Sequence, residues 1–247
     1  MNNIDLEINI AHLYPELLNI YGDFGNVLTL KKRLEWRGIK VNVDTVSKGD
    51  LIDYDKYDIY FIGGGQDKQQ IIVSNELQKH KEAFHKLSQD NVVMLGICGG
   101  YQLLGHYYQP MDADRIEGIG ILDAYTVAGD KRFIGNVTME VDFLEPKTLV
   151  GFENHSGLTY LNEKACPIGK VKVGYGNNCK EKLEGAKFNN VFGTYLHGSL
   201  LPKNPAFADY LLTMAIRRKL NDNNYLLPNL DDSLERAAHN NVIGKKY

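Results

Sequence analysis

Residues 94–105 change their hydrophobic period at Cys98, and they read Met94-Leu95-Gly96-Ile97-Cys98-Gly99-Gly100-Tyr101-Gln102-Leu103-Leu104-Gly105. The run from Asn91 to Ile97 is apolar and partly β-branched, which is typical of a strand buried on both faces. The apolar residues beyond Cys98 follow with the spacing of a helix. Because Gly96 and the Gly99-Gly100 pair lack Cβ atoms, the backbone can turn sharply and pass close to its neighbours. The segment therefore predicts a strand, a tight turn at Cys98 and a helix.

Such a turn would lift the Cys98 side chain out at the carboxyl end of a sheet. The order of strand, turn, nucleophile and helix is that of the G-x-S-x-G elbow, here with sulfur. The N-terminus of the helix favours a thiolate, and its free N–H groups can form half of an oxyanion hole. The alternative is an inert cysteine at a strand end, since free cysteine is among the most buried residue types. The flanking glycines favour the nucleophile.

The composition is that of an ordinary globular protein. The 247 residues are 43% hydrophobic and 24% charged, which fits one α/β domain with additions or two small domains. A net charge of −3 gives no general reason to expect nucleic acid or an anionic membrane as a partner. No apolar run approaches the roughly 18 residues that span a bilayer. Because residues 1–5 also lack the features of a signal peptide, we expect a cytoplasmic protein.

The first half of the chain alternates strands and helices, which predicts a parallel sheet. The predicted strands begin at residue 4 and cover 39–46, 58–62 and 91–97, and the predicted helices end at Gly38 and cover 74–89. Asp23 and Asn26 lie in the turn before the first helix, and we interpret them as cap and turn residues.

Beyond Gly105, turns rather than long helices separate the predicted strands, so this part of the sheet is expected to be antiparallel or mixed. The strands are placed at 133–143, 149–153, 170–175 and 191–196, and helices at 204–220 and 231–240. Residues 154–157 (Asn-His-Ser-Gly) are assigned to a loop. The cysteines, at positions 98, 166 and 179, show no metal-binding spacing and predict free thiols.

Two further features follow predicted strands. Consecutive glycines at 63–65 let backbone N–H groups face outward together, which suits a developing oxyanion, although a flexible turn is the alternative. His197 ends another strand and precedes Gly198. A thiol nucleophile needs a base within hydrogen-bond reach, and the strand ends of a parallel sheet converge on one crevice. His197 is therefore the candidate base for Cys98, and a structural histidine is the alternative, because spatial adjacency cannot be read from spacing.

Taken together, three motifs resemble the class I glutamine amidotransferases of the cobyric acid synthase type: Gly96-Ile97-Cys98-Gly99-Gly100-Tyr101-Gln102, Phe61-Ile62-Gly63-Gly64-Gly65 and Gly193-Thr194-Tyr195-Leu196-His197-Gly198. The resemblance covers most of the chain and implies one domain over residues 1–247. The implied fold is α/β and flavodoxin-like, with a mostly parallel central sheet, helices on both faces and an antiparallel extension. The implied reaction is attack of a cysteine on the side-chain amide of L-glutamine, which gives a γ-glutamyl thioester and ammonia, followed by hydrolysis to glutamate.

The resemblance also assigns roles within the site. It makes Cys98 the nucleophile and His197 the base and later the acid. The backbone of Gly64 or Gly65, together with Gly99, would form the oxyanion hole. No metal is expected there.

Two positions refine this assignment. Gln102 would help to hold the amino-acid end of the substrate. Ser199 stands two residues after His197, where many class I members carry a carboxylate. We therefore expect a Cys-His dyad with an unidentified orienting group, which would be weak until a partner orders it.

Residues 13–23, 35–38 and 151–157 resemble the free-standing glutaminase subunits of lipid II isoglutaminyl synthases. In that subfamily a Mur-ligase-like (MurT-type) subunit, with ATP and Mg²⁺, activates the α-carboxylate of D-glutamate in lipid II. Ammonia then converts this residue to D-isoglutamine for peptidoglycan synthesis. The resemblance implies a heterodimer that meets lipid II at the inner face of the membrane. Because the chain has no Gly-x-x-x-x-Gly-Lys-Ser/Thr loop, we expect no cofactor in this subunit.

An arginine after the nucleophile helix binds the glutamine carboxylate in this subfamily. Arg132 is the first candidate and Arg115 the second, because a guanidinium can bind a carboxylate through two hydrogen bonds, although either could be a solvated surface charge. His155 would line the ammonia route or contact the partner, or would be a loop histidine held by Glu153 or Asn154.

Three alternatives to this function stay open. The same elbow would serve a stand-alone cysteine γ-glutamyl hydrolase, and the resemblance would also fit the amidotransferase subunit of a cobyric acid-type synthase. A non-enzymatic binding module is supported only by the missing carboxylate after His197.

Overall fold

The computed structural model describes residues 6–245 of the chain, so residues 4 and 5, where the first strand is predicted to begin, lie outside the described part. The strands are β1 (Glu7–Leu13), β2 (Lys40–Val46), β3 (Ile59–Ile62), β4 (Val93–Ile97), β5 (Tyr107–Gln109), β6 (Ile116–Glu117), β7 (Ala124–Glu140), β8 (Thr148–Leu161), β9 (Gly169–Val173), β10 (Leu183–Glu184), β11 (Ala186–Phe188) and β12 (Val191–Thr194). The helices are α1 (Phe24–Glu35), α2 (Asp67–Lys79), α3 (Lys81–Gln89), α4 (Gly99–Leu104), α5 (Pro205–Leu220) and α6 (Ser233–Val242). Short 3₁₀ helices span Ile20–Gly22 and Leu201–Lys203.

The central sheet has the strand order β11-β12-β4-β3-β1-β2. Every neighbouring pair in it is parallel except β11 with β12. The connections from β1 to β2 and from β3 to β4 run in opposite directions across the sheet. Because such crossovers are right-handed, α1 covers one face and α2 with α3 the other. The predicted flavodoxin-like α/β fold with a mostly parallel sheet is confirmed.

The second sheet has the order β10-β9-β7-β5-β6, with β8 also paired to β7. Its long hairpin of β7 and β8 is antiparallel, from the pair Ala124 and Leu161 to the pair Glu140 and Thr148. This sheet is the antiparallel extension that was predicted.

Residues 154–157 were predicted to form a loop, and this is wrong, because they lie inside β8. Burial alternates along this strand, but several inward-facing side chains are polar, among them Glu153, His155 and Thr159. A buried face made of polar residues has no hydrophobic signature of period two, so the pattern indicated a strand only as far as residue 153.

The remaining differences concern the bounds of elements. The helix predicted over 74–89 is two helices that begin at Asp67 and break at His80, whose φ of −109° and ψ of 3° are not helical. The two-residue and three-residue strands β5, β6, β10 and β11 are too short to carry a recognisable hydrophobic period.

The carboxyl ends of β1, β3, β4 and β12 lie side by side. Leu13 pairs with Ile62, Ile62 with Gly96, and Thr194 with Ile97. The segments that leave these four strands therefore meet at one edge of the sheet. This edge includes the point between β1 and β3 where the order of strands reverses, which is where α/β folds bind ligands.

No helix among residues 6–245 has both the length and the hydropathy to cross a bilayer.

Candidate functional site

Cys98 joins β4 to α4 in a strained conformation, with φ of 50° and ψ of −102°. This geometry costs free energy for a residue with a side chain, and such strain concentrates at functional sites. The Cys98 N–H donates to the Thr194 carbonyl at 2.8 Å, which ties the turn to β12. A Cβ on Gly100 would lie 2.4 Å from the Ile62 carbonyl oxygen, so the close approach requires glycine. The predicted turn from strand to helix at Cys98 is confirmed.

The glycine loop after β3 lies against both candidate catalytic residues. A Cβ on Gly64 would be 3.1 Å from Cε1 of His197 and 3.2 Å from Cβ of Cys98. The Gly64 N–H donates to Oδ2 of Asp23 at 2.7 Å. It is therefore already engaged and cannot donate to an oxyanion.

Gly65 and Gly99 offer free donors instead. Among the described residues, neither of their N–H groups donates to a protein acceptor. A Cβ on Gly99 would lie 3.1 Å from the Gly65 nitrogen, so the two segments are adjacent beside Cys98. Of the two alternatives for the first half of the oxyanion hole, Gly65 fits the geometry.

His197 is fully buried just beyond β12. Its backbone pairs with Phe152 of β8, and the Tyr21 ring packs edge-on against its imidazole, with ring centroids 5.0 Å apart. Burial lowers the pKa of His197, but the attraction of its cation to Cys98 and Asp23 is stronger and raises the pKa above its usual value. The environment thus favours an imidazolium beside Cys98.

Asp23 lies where a group that orients His197 would be needed, and the sequence pattern did not reveal it. Its carboxylate is fully buried, and Oδ1 lies 3.6 Å from Nδ1 of His197. Neither of these two atoms has a hydrogen-bond partner among the described residues. Asp23 stands at the N-cap position of α1, as predicted, but its side chain makes no capping bond. Asn19 does this instead, since its Oδ1 accepts from the Phe24 N–H at 2.8 Å.

Two side chains tie the loop after His197 to the segment around Asp23. The Ser199 hydroxyl donates to the Gly22 carbonyl at 2.6 Å. Asn26, predicted to be a turn residue, lies inside α1, and its Oδ1 accepts from the Leu201 N–H at 2.9 Å. These bonds fix the position of Asp23 relative to His197, although the two residues lie in opposite halves of the chain.

A cavity of about 610 Å³ opens above Cys98. Its described lining residues are Ile20, Tyr21, Gly65, Gln66, Asp67, Lys68, Gln70, Cys98, Gln102, Tyr108, Arg132, Asn154, His155 and Ser156. Arg132 donates through Nε to Oδ1 of Asn154 at 2.6 Å at the rim. Arg115 does not line the cavity and pairs with Glu117 at 2.7 Å. In the described part of the chain, no three metal-binding side chains converge.

Gln102 and His155 line the same cavity, and both contact Tyr195. Gln102 donates through Nε2 to the Tyr195 hydroxyl at 3.1 Å. The His155 ring stacks on the Tyr195 ring with centroids 3.7 Å apart, and its Nδ1 lies 2.8 Å from the Gly157 carbonyl oxygen. Glu153 is 3.8 Å from His155 Nε2, which is too long for a hydrogen bond. His155 is thus held by the backbone of its own strand.

Glu184 fixes the end of the strand that presents His197. Its Oε1 accepts from the Thr194 hydroxyl at 2.6 Å and from the Tyr195 N–H at 2.7 Å. Burial raises the pKa of Glu184 from 4.5 to about 7, and repulsion from the Glu153 carboxylate adds to the shift.

We expect Glu184→Gln to remove a pH dependence of stability. Folded Glu184 keeps a proton that the unfolded chain releases near pH 4.5, so the wild-type free energy of unfolding falls as the pH rises from 4.5 through 7. Relative to wild type, the free energy of unfolding of the variant should therefore rise by as much as about 3 kcal/mol between these two pH values. Urea unfolding between pH 5 and pH 8 measures this difference. The exposed Glu163→Gln is the control, and an unchanged pH slope in Glu184→Gln would contradict the expectation.

Comparison with known proteins gives the family. Residues 9–205 match the family model described as the CobB/CobQ-like glutamine amidotransferase domain. The lipid II isoglutaminyl synthase (glutamine-hydrolyzing) subunit GatD of Staphylococcus aureus is 44% identical over 213 residues, which cover 86% of each chain. Its counterpart from Streptococcus pneumoniae is 43% identical over 235 residues, 95% of this chain and 90% of that one. A probable cobyric acid synthase of Methanocaldococcus jannaschii is 31% identical over 82% of this chain and 46% of its own length.

Solved structures agree on the fold. A crystal structure of a glutamine amidotransferase superposes with a TM-score of 0.56 at 14% identity, covering 83% of this chain and 98% of that one. The glutaminase domain of Trypanosoma brucei CTPS with bound acivicin gives 0.53 at 11% identity, covering 90% and 96%. The fold is thus shared with glutamine amidotransferases, and the sequence match over residues 9–205 identifies the chain as a member of the CobB/CobQ-like glutamine amidotransferase family.

Proposed function

We propose that this protein is the glutamine-hydrolysing subunit of a lipid II isoglutaminyl synthase and that Cys98 and His197 are its catalytic residues. The observation that supports this most strongly is the strained Cys98 turn beside the buried His197, whose Nδ1 lies 3.6 Å from Oδ1 of Asp23. The two relatives named GatD, each aligned over at least 86% of its length, support the same assignment.

In the proposed reaction, the Cys98 thiolate attacks the carboxamide carbon of L-glutamine. The N–H groups of Gly65 and Gly99 donate to the oxyanion of the tetrahedral intermediate. The His197 imidazolium gives its proton to the leaving nitrogen, the C–N bond breaks, and ammonia and a γ-glutamyl thioester result. His197 then takes a proton from water, whose oxygen attacks the thioester, and glutamate leaves as the thiolate forms again. Asp23 orients the ring throughout and stabilises its charged form.

We further propose that the ammonia passes to a Mur-ligase-like (MurT-type) partner in a heterodimer. That subunit would carry ATP and Mg²⁺ and activate the α-carboxylate of D-glutamate in lipid II, at the cytoplasmic face of the membrane. The relatives named as GatD subunits support a division of the work between two chains.

The test is glutamate release from L-glutamine by the protein alone and with a co-expressed Mur-ligase-like subunit. We expect activity that rises with the partner and disappears in Cys98→Ala. Efficient partner-independent cleavage of γ-glutamyl compounds, with L-glutamine a poor substrate, would instead support a stand-alone γ-glutamyl hydrolase. In that case the lipid II assignment would be wrong.

We expect Arg132→Met to raise KM for L-glutamine about 10- to 100-fold with a much smaller change in kcat, because the guanidinium binds the α-carboxylate far from the reacting carbon. Steady-state kinetics of glutamate release measure both constants. Arg115→Met is the matched control, since Arg115 lies outside the cavity and pairs with Glu117. A larger rise in KM for Arg115→Met than for Arg132→Met would reverse this assignment.

A further inference from the structure

Gln70 carries an acceptor atom without a partner inside the catalytic cavity. It lies in the first turn of α2, is 3% exposed and lines the same cavity as Cys98. Its Nε2 donates to the Gly65 carbonyl at 3.1 Å, and this bond sets the orientation of the amide, since a carbonyl oxygen there would face another oxygen. Oε1 consequently points away from Gly65, and no described residue donates to it.

Gln102 is arranged in the same way. Its Nε2 donates to the Tyr195 hydroxyl, and its buried Oε1 has no donor among the described residues. An acceptor left unpaired in the interior costs about 1–3 kcal/mol, so two of them in one cavity indicate a ligand that donates hydrogen bonds.

L-Glutamine has two groups that donate, the carboxamide and the α-ammonium. In the proposed reaction the carboxamide carbon lies at Cys98 and its nitrogen faces His197, while the α-carboxylate pairs with Arg132. The α-ammonium group then still needs acceptors. Asp67 is the one carboxylate among the described lining residues, and it is exposed at the start of α2. The buried side-chain acceptors without a partner in this lining are the two amide oxygens and Nε2 of His155. The two amides belong to the helices on either side of Cys98 in sequence, α2 and α4, whereas His155 belongs to β8.

We propose that Gln70 binds the α-ammonium group of L-glutamine through Oε1, with Gln102 as a second acceptor. This inference rests on the proposed function, and it adds Gln70 as a residue that selects substrates with a free α-amino group. Two neutral amides suit a buried site, because each oxygen can accept a hydrogen bond from the charged ammonium group. They do so without the desolvation cost of a buried carboxylate.

The test measures ligand binding to the full-length chain that carries Cys98→Ala, which prevents turnover. Each ligand is measured with and without a second substitution at Gln70. Calorimetry compares L-glutamine with glutaramate, the analogue that lacks only the α-amino group. Gln70→Met should weaken L-glutamine about 10- to 100-fold, because hydrogen bonds to a charged group are lost. It should change the Kd of glutaramate by less than about 2-fold, since that ligand lacks the ammonium group from which Gln70 would accept.

Gln69→Met is the matched control, because Gln69 is the adjacent residue of α2 and does not line the cavity. Gln70→Asn, which keeps an amide one methylene shorter, should show the same preference with a smaller effect and serves if Gln70→Met does not fold. If Gln70→Met weakened the binding of both ligands equally, or if Asp67→Asn instead lost L-glutamine binding selectively, the assignment of Gln70 would be wrong. Neither outcome would contradict the proposed function. If the Cys98→Ala parent binds no L-glutamine, the proposed function and this inference both fail.

Discussion

Replacing Cys98 by alanine is expected to lower the rate of glutamate release from L-glutamine by at least about 10⁴-fold. In the proposed reaction the sulfur forms the bond to the substrate, so its removal prevents the thioester from forming. The other two thiols, Cys166 and Cys179, do not line the cavity. Rates of glutamate release for wild type and variant, each with and without the partner, measure the loss.

The control for this change is Cys166→Ala, which removes an exposed thiol and should leave the rate unchanged. Urea unfolding should show that Cys98→Ala retains its fold, because the substitution removes one sulfur atom and leaves the backbone able to form the same turn. Turnover that persists in Cys98→Ala would contradict thioester catalysis.

Asp23→Asn is expected to lower kcat by about 10²- to 10⁴-fold, by analogy with other triads in which the orienting aspartate is replaced. The asparagine oxygen can still accept from the Gly64 N–H, so its NH₂ group then faces Nδ1 of His197. That arrangement favours the tautomer with its proton on Nε2, which cannot accept a proton from water when the thioester is hydrolysed. Steady-state kinetics at saturating L-glutamine measure the loss.

The pH profile separates this role from a merely structural one. Because Asp23 raises the pKa of His197, its replacement should lower that pKa, and the alkaline limb of the kcat/KM profile should move to lower pH. Asp50→Asn is the control, since Asp50 also accepts a backbone N–H, from Ser47, but at the surface. A loss of rate with an unshifted alkaline limb would show that Asp23 only supports the glycine loop.

The sequence by itself determined the fold class and predicted the principal reactive residues. The change of hydrophobic period at Cys98, with its glycines, depends on contacts within a few residues, and such local patterns are visible in a sequence. The strand that ends before His197 is likewise predicted by a pattern of neighbouring residues. The resemblance of three motifs to a known family then linked Cys98 to a histidine far along the chain. Spacing alone could not predict that the two residues are adjacent.

The tertiary structure decided which groups meet at the site. Asp23 looks like a helix cap locally, and only the pairing of β1 with β3 and of β4 with β12 brings it to His197. The same packing engages Gly64, leaves Gly65 free and places Arg132 at the cavity. The unpaired oxygen of Gln70 is likewise visible only once its surroundings are assembled. These outcomes depend on contacts between segments distant in sequence, and no local period or propensity encodes such contacts.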